Sequence, residues 1–147
     1  MIAVRGVRFA KPSSAERGSI ALEVAMIAPG LLLILALIFA YGRTAQVNGL
    51  LESGTRDAAR TATIARSAGE AEQRATAAIN ASLTDAPTAC RASLRVELIG
   101  NFTPGEPITV RARCSYSLSD LGLPGAPGTV RTTSSFTSML DPYRGVD

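Results

Sequence analysis

One acidic side chain, Glu23, stands inside the most apolar stretch of the chain. After it, from Val24 to Tyr41, no charged or strongly polar side chain appears. An ionisable group in a membrane segment costs about 2.5–3.5 kcal/mol at the helix centre on insertion scales, and less near the interface. A carboxylate at this position is therefore a functional candidate with a cationic partner. The alternative is an acid at the membrane interface that Arg17 or Lys11 neutralises and that has no role in assembly.

The element that must position Glu23 is the apolar run itself. About 20 helical residues cross a bilayer core that is about 30 Å thick. The run reaches that length when it is extended back through Ile20, Ala21 and Leu22. We therefore predict a single transmembrane helix over residues 19–42. Pro29-Gly30 lies inside it and is interpreted as a pair that membrane helices tolerate.

The excess positive charge of the chain lies before the apolar run. Residues 1–18 carry four basic side chains and one acidic side chain, namely Arg5, Arg8, Lys11, Arg17 and Glu16. Basic and acidic residues balance in the rest of the chain. This placement argues against nucleic-acid binding and fits the excess of basic residues on the cytoplasmic side of membrane helices. It predicts a cytoplasmic leader over residues 1–18 of a single-pass cell-membrane protein whose C-terminal domain is extracytoplasmic.

The composition offers little for catalysis. The chain has no histidine, which removes Ser-His-Asp and Cys-His sites and the imidazole metal ligand. It also has no Gly-rich phosphate loop and no paired-cysteine zinc spacing. We predict a non-enzymatic protein without a cofactor or a metal ion. Cys90 and Cys114 follow the apolar helix, where an oxidising compartment favours one disulfide over two buried thiols.

A second helical pattern follows the apolar run over residues 43–84. It contains no proline and is rich in Ala, Arg, Glu and Gln. Its small and apolar residues recur at helical spacing, clearly at Val47, Leu51, Gly54, Ala58, Ala62 and Ala65, and less regularly at Ala68, Ala75, Ile79 and Leu83. This stripe predicts an amphipathic stalk that packs on a partner or on the C-terminal domain, with Gly69 as a point of interruption.

The pattern changes from helical to alternating after Asp85-Ala86-Pro87-Thr88. Strands are predicted at about 94–98, 108–118 and 129–139, with a turn at 101–106 and a loop at 121–128. In the second strand one face is apolar and includes Cys114, whereas Arg111 and Arg113 are interpreted as the solvated face.

The predicted fold class is therefore α+β. A long N-terminal transmembrane and amphipathic helix is followed by a small antiparallel sheet of about three strands with one disulfide. The sheet belongs to an extracytoplasmic β domain over residues 85–147. A core of this size is marginal by itself, and the bridge and the helical stripe are expected to stabilise it.

The junction between leader and helix reads Glu16-Arg17-Gly18-Ser19-Ile20-Ala21-Leu22-Glu23-Val24. It resembles the class III signal of type IV prepilins and pseudopilins, in which a prepilin peptidase cuts after the glycine of a basic leader. With the Ala-Met-Ile-Ala-Pro and Leu-rich sequence that follows, it is more narrowly similar to TadE-like minor pseudopilins of the tight-adherence (Tad/Flp) pilus. Many members of that family have Phe or Tyr directly after the acid, where this chain has Val24.

The resemblance implies cleavage between Gly18 and Ser19, which exposes an α-amine that is mostly cationic at neutral pH. Glu23 then matches the acidic fifth residue of the mature family sequence and is expected to neutralise such an amine on a neighbouring subunit. The implied partners are other pilins and pseudopilins, Tad inner-membrane assembly proteins, the prepilin peptidase and the membrane.

Two other functions are open. The chain can be an extracytoplasmic binding module unrelated to pili, either secreted after cleavage at the small-x-small sequence Ala40-Tyr41-Gly42 or retained by an uncut signal anchor. The three hypotheses differ in the first residue of the mature protein, which would be Ser19, Arg43 or Met1.

Overall fold

The computed structural model describes residues 14–122 and 125–143, with side chains from residue 20 onward. The prediction of a cytoplasmic leader falls largely on residues outside this range. The chain divides into two compact units, one that ends at Leu37 and one that begins at Ile38.

The first helix, α1, covers Ser14–Thr63 and has Pro29 inside it. It takes in the whole apolar run and continues into the amphipathic stripe. All six clearly spaced stripe residues, Val47, Leu51, Gly54, Ala58, Ala62 and Ala65, are buried. The helical period therefore identified the packing face of this segment correctly. Ala68, in contrast, is exposed, while Ala75, Ile79 and Leu83 are buried.

The helical segment is interrupted at residues 64–67, before Gly69, and α2 then covers Ala68–Ser82. The Ser67 side chain accepts the backbone N–H of Glu70 at 3.3 Å, and the Glu70 carboxylate accepts the backbone N–H of Arg66 at 2.8 Å. The hydrogen bond from Arg66, followed by the one from Arg74, lowers the pKa of Glu70. These reciprocal hydrogen bonds stabilise the start of α2, and the Ser-x-x-Glu spacing was the available signal for it.

A short helix, α3, covers Thr88–Ala92, directly before the sheet. The sequence predicted only strands after Thr88, the first at about 94–98, so this helix was missed. It positions Cys90 and ends at Ser93, whose hydroxyl donates to Ala89 O at 2.7 Å. Ser93 also bonds both the N–H and the C=O of Ser115, which attaches the end of α3 to the sheet.

The sheet has three antiparallel strands in the order β1-β2-β3. Their bounds are Arg95–Ile99 for β1, Pro107–Ser117 for β2 and Thr129–Met139 for β3. A one-turn 3-10 helix at Leu118–Leu121 follows β2 and ends at Gly122, whose φ of 91° is favourable only for glycine. Along β2 alternate residues from Ile108 to Tyr116 are buried, as the alternation predicted.

The core lies between the helices and the inner face of the sheet. Helical residues such as Leu51 and Ile79 join Val110 and Tyr116 of β2 in one buried cluster. On the same face, the Thr132 hydroxyl of β3 donates to the side-chain oxygen of Asn48. The predicted α+β class is confirmed, because the long apolar helix, the three-stranded antiparallel sheet and the disulfide are all present.

The helices α1 and α2 approach each other closely at Gly54. A Cβ atom at this position would lie 2.9 Å from Ser82 Cβ and 3.4 Å from Ile79 Cα. We expect Gly54→Leu to destabilise the fold by about 1–3 kcal/mol, because overpacking forces the two helices apart. Gly49→Leu is the matched control, since a Cβ there meets nothing within 4 Å. Chemical unfolding of the full chain in neutral detergent would compare them, and equal stability of the two variants would contradict this packing.

Candidate functional site

The surface of α1 between Ile20 and Leu37 is apolar and uncovered within its unit. Every large apolar side chain in this stretch is between 54% and 75% exposed. The helix is long and apolar enough to cross a membrane, with a mean hydropathy of 2.5. Water-soluble monomers rarely expose a continuous apolar surface of this size, so the helix requires lipid or other apolar helices around it.

Glu23 lies on this apolar surface. Its side chain is exposed, and no residue in the described part of the chain forms a hydrogen bond or ion pair with it. The Gly18–Ser19 peptide lies in the backbone of α1, one turn before Glu23. Within the described residues the Glu23 carboxylate is therefore unpaired, and it is accessible to groups that surround the apolar helix.

Polar side chains reappear on α1 immediately after the apolar stretch. Tyr41 is 80% exposed, and the Arg43 guanidinium donates to Gln46 at 2.8 Å. The Thr44 hydroxyl donates a hydrogen bond to the backbone oxygen of Ala40, one helical turn earlier, at 3.0 Å. Threonines in helices commonly form this bond. An exposed tyrosine followed by an arginine is typical of a helix leaving a bilayer.

One end of the sheet lies beside this part of α1. A Cβ on Gly122 would lie 3.4 Å from the Phe39 ring, so the turn after β2 contacts the helix closely. Tyr116 is only 2% exposed, and no group in the described part of the chain meets the geometry of a hydrogen bond to its hydroxyl. Burial raises the pKa of Tyr116, against a smaller opposite effect of the Thr44 hydroxyl. The phenol therefore stays neutral at physiological pH and has a packing role.

Cys90 and Cys114 form a disulfide with their Cα atoms 4.9 Å apart. Both are buried, Cys90 on α3 and Cys114 on the inner face of β2. The bridge fixes the short helix to the central strand. This bond confirms the predicted pairing of the two cysteines. It stabilises the fold and is not part of the exposed apolar helix.

The described chain therefore combines an exposed apolar helix, which carries one acid and is long enough to cross a membrane, with a small disulfide-bonded α+β unit. Residues 18–60 match the family model described as TadE-like protein. The match begins at Gly18, contains Glu23 and the apolar run, and covers less than a third of the chain. It confirms the predicted resemblance to TadE-like proteins over this segment. No curated protein and no solved structure matches the chain.

The structure brings together only some of the predicted site residues. Gly18, Ser19 and Glu23 lie on one helix, within two turns of each other. The disulfide lies in the unit that begins at Ile38 and is separate from them in sequence. The sequence did not predict a basic groove on the outer face of the sheet. Of its three arginines only Arg113 was singled out, as a residue of the solvated face of the second strand.

Proposed function

We propose that the protein is a non-enzymatic, membrane-anchored pseudopilin that takes part in assembling a Tad pilus. The observation that carries this proposal is Glu23, an exposed carboxylate on an apolar helix without a partner in the described part of its own chain. A charge in apolar surroundings is strongly unfavourable unless it is paired. We infer that the partner comes from a neighbouring subunit or from a group that processing creates, rather than from Arg17 or Lys11 of the leader.

The proposed topology follows from charge and chemistry along the chain. Residues 1–18 form the basic cytoplasmic leader, residues 19–42 span the membrane, residues 43–84 form the stalk, and residues 85–147 lie outside. The basic leader supports this orientation. So does the disulfide, which persists in an oxidising compartment.

Cleavage after Gly18 would create the missing cation. The new α-amine on Ser19 would be mostly protonated at neutral pH. It would lie one helical turn from Glu23 on the same face, about 6 Å along the axis. A shift of about one turn between adjacent helices places one subunit's amine beside the next subunit's carboxylate. Pairing in this low-dielectric environment offsets the desolvation of both groups and fixes the stagger of the helices.

Gly18 suits the cleavage position for two reasons. It has no side chain to obstruct a peptidase, and a glycine in a helix is about 1 kcal/mol less favourable than alanine. The α1 backbone already begins at Ser14, so the peptide after Gly18 must leave the helix before it can be cut. Glycine makes that local opening easier.

We expect Gly18→Leu to leave the leader attached in a host that has the prepilin peptidase. Leucine would both obstruct the cut and stabilise the helix that has to open. Intact-mass spectrometry of the membrane fraction would show a chain that retains residues 1–18. Gly30→Leu is the matched control, because a Cβ at Gly30 meets nothing within 4 Å. Normal trimming of Gly18→Leu would remove Gly18 from the cleavage site.

The first residue of the mature native protein tests the whole proposal. A chain that starts at Ser19 supports the pseudopilin. A start at Arg43 would indicate a secreted module cut at Ala40-Tyr41-Gly42, and an intact Met1 a signal-anchored module. Either of these two results would overturn the pilus assignment.

A further inference from the structure

The outer face of the sheet carries an uneven distribution of charge. Four arginines project from it, Arg95 on β1, Arg111 and Arg113 on β2, and Arg131 on β3, against one acid, Glu97. Arg95 lies directly opposite Arg113 in the strand register. Like charges at directly opposed positions destabilise a sheet. The arrangement therefore has a stability cost that an anion bound between the arginines would remove.

Three of these arginines line one open groove. Arg95, Arg113 and Arg131 surround a space of about 370 Å³, and the hydroxyls of Ser115 and Thr133 also line it. No carboxylate is among its lining residues. Guanidinium groups and hydroxyls are hydrogen-bond donors that fit the oxygens of a tetrahedral oxyanion, and arginine recognises phosphate with two parallel hydrogen bonds.

The arginines of the groove are largely unneutralised. The Arg113 guanidinium on β2 forms an exposed ion pair with the Glu97 carboxylate on β1, at 2.6 Å. Arg95 donates only to the carbonyl oxygen of Leu94, at 3.2 Å. The Arg131 guanidinium has no hydrogen bond or ion pair with the rest of the described chain. Two guanidinium groups are therefore free to bind a ligand without breaking an existing ion pair.

The strand that carries Arg131 contacts α1 within the unit that begins at Ile38. Thr132, between Arg131 and Thr133 on β3, bonds Asn48 of α1. Asn48 follows Tyr41 by seven residues, which corresponds to about 10 Å along the helix axis. If Tyr41 and Arg43 mark the membrane surface, the groove is within reach of lipid headgroups. Basic residues this close to a bilayer are attracted to anionic lipids.

We propose that the groove formed by Arg95, Arg113 and Arg131 binds a phosphate group. The same chemistry is offered by free phosphate and by the headgroup of an anionic phospholipid. The phosphate site rests on the sheet alone, and only lipid as its source depends on a membrane around α1. Neither depends on processing, on Glu23 or on a role in pili.

The test uses the full chain in uncharged detergent micelles. Isothermal titration would compare inorganic phosphate, short-chain phosphatidylglycerol below its micellar concentration, and sodium chloride at matched ionic strength. The variant is Arg95→Gln combined with Arg131→Gln. The controls are each single variant and Arg111→Gln, which removes one positive charge from the same face outside the groove. Since charge-assisted hydrogen bonds are among the stronger ones, we expect the double variant to bind at least about tenfold more weakly.

A second measurement separates binding from folding. Without anion, the double variant should be as stable as the parent or slightly more stable, because repulsion between opposed arginines is relieved. Binding of phosphate and phosphatidylglycerol supports the site with either source, and binding of phosphatidylglycerol alone supports it with lipid as the ligand. The proposal is overturned if neither binds above the chloride control, or if the double variant binds as well as the parent.

Discussion

Glu23→Gln is expected to enter the membrane normally and to abolish or severely reduce pilus assembly. The substitution keeps the size and shape of the side chain and removes only its charge. An assembled fibre that uses the carboxylate to pair with an α-amine would then contain an unpaired buried cation. Removing one partner of a buried pair costs about 3–5 kcal/mol at each contact. A loss of this size at every subunit contact would prevent stable association.

Membrane insertion of the Glu23→Gln variant, in contrast, should not be reduced. An acid inside an apolar helix opposes insertion, so a neutral amide in its place makes the helix a better membrane segment. Carbonate extraction would check that the variant stays in the membrane, and intact mass would check that it is still trimmed at Ser19. A failure of assembly in a chain that passes both tests can then be attributed to the missing charge.

Two further variants make the Glu23 experiment specific. Glu23→Asp retains the charge on a shorter side chain and should retain part of the assembly. Glu52→Gln makes the same chemical change at an exposed α1 position, where the acid pairs with Arg56 at 3.1 Å. An exposed pair of this kind contributes little, so this variant should behave as the parent. Normal numbers of pili on cells that carry Glu23→Gln would exclude the carboxylate from assembly.

Elements whose apolar residues repeat with a single period, either helical or alternating, were predictable from the sequence. The alternation along β2 and the helical stripe from Val47 to Ala65 each repeat often enough to identify a buried face. The apolar run was equally clear, because no soluble element requires so many consecutive apolar residues. The disulfide followed from an even cysteine count in a chain with a predicted outer domain.

Short elements and sites assembled across strands were not predictable in the same way. The helix α3 has five residues, too few to show a period. An interruption of the long helix was expected near Gly69, and the structure has it at residues 64–67, directly before the capped start of α2. The arginine groove needs residues that are 36 positions apart, Arg95 and Arg131, and it exists only because β2 pairs with both neighbours. Strand register, which no single segment encodes, determines which arginines meet.

The folded unit that begins at Ile38 depends strongly on its disulfide because its core is made of small side chains. Many of its buried apolar residues are alanines, including Ala58, Ala62, Ala71 and Ala75. Buried alanine removes much less apolar surface from water than buried leucine or isoleucine, so each contributes little to stability. The Cys90–Cys114 bridge closes a loop with a sequence separation of 24, which contributes about 3 kcal/mol in the chain-entropy estimate.

Replacing both cysteines with alanine is therefore expected to lower the free energy of unfolding by about 3 kcal/mol. Hydrogen exchange of β2 amides in the full chain, followed by mass spectrometry, should accelerate by about two orders of magnitude, since about 1.4 kcal/mol corresponds to a factor of ten. Exchange in the apolar part of α1 should not change, because lipid or detergent protects that segment independently. Reductant should accelerate exchange in the parent and leave the double variant unaffected. Equal protection of β2 in the parent and the variant would show that alanine packing alone supports the sheet.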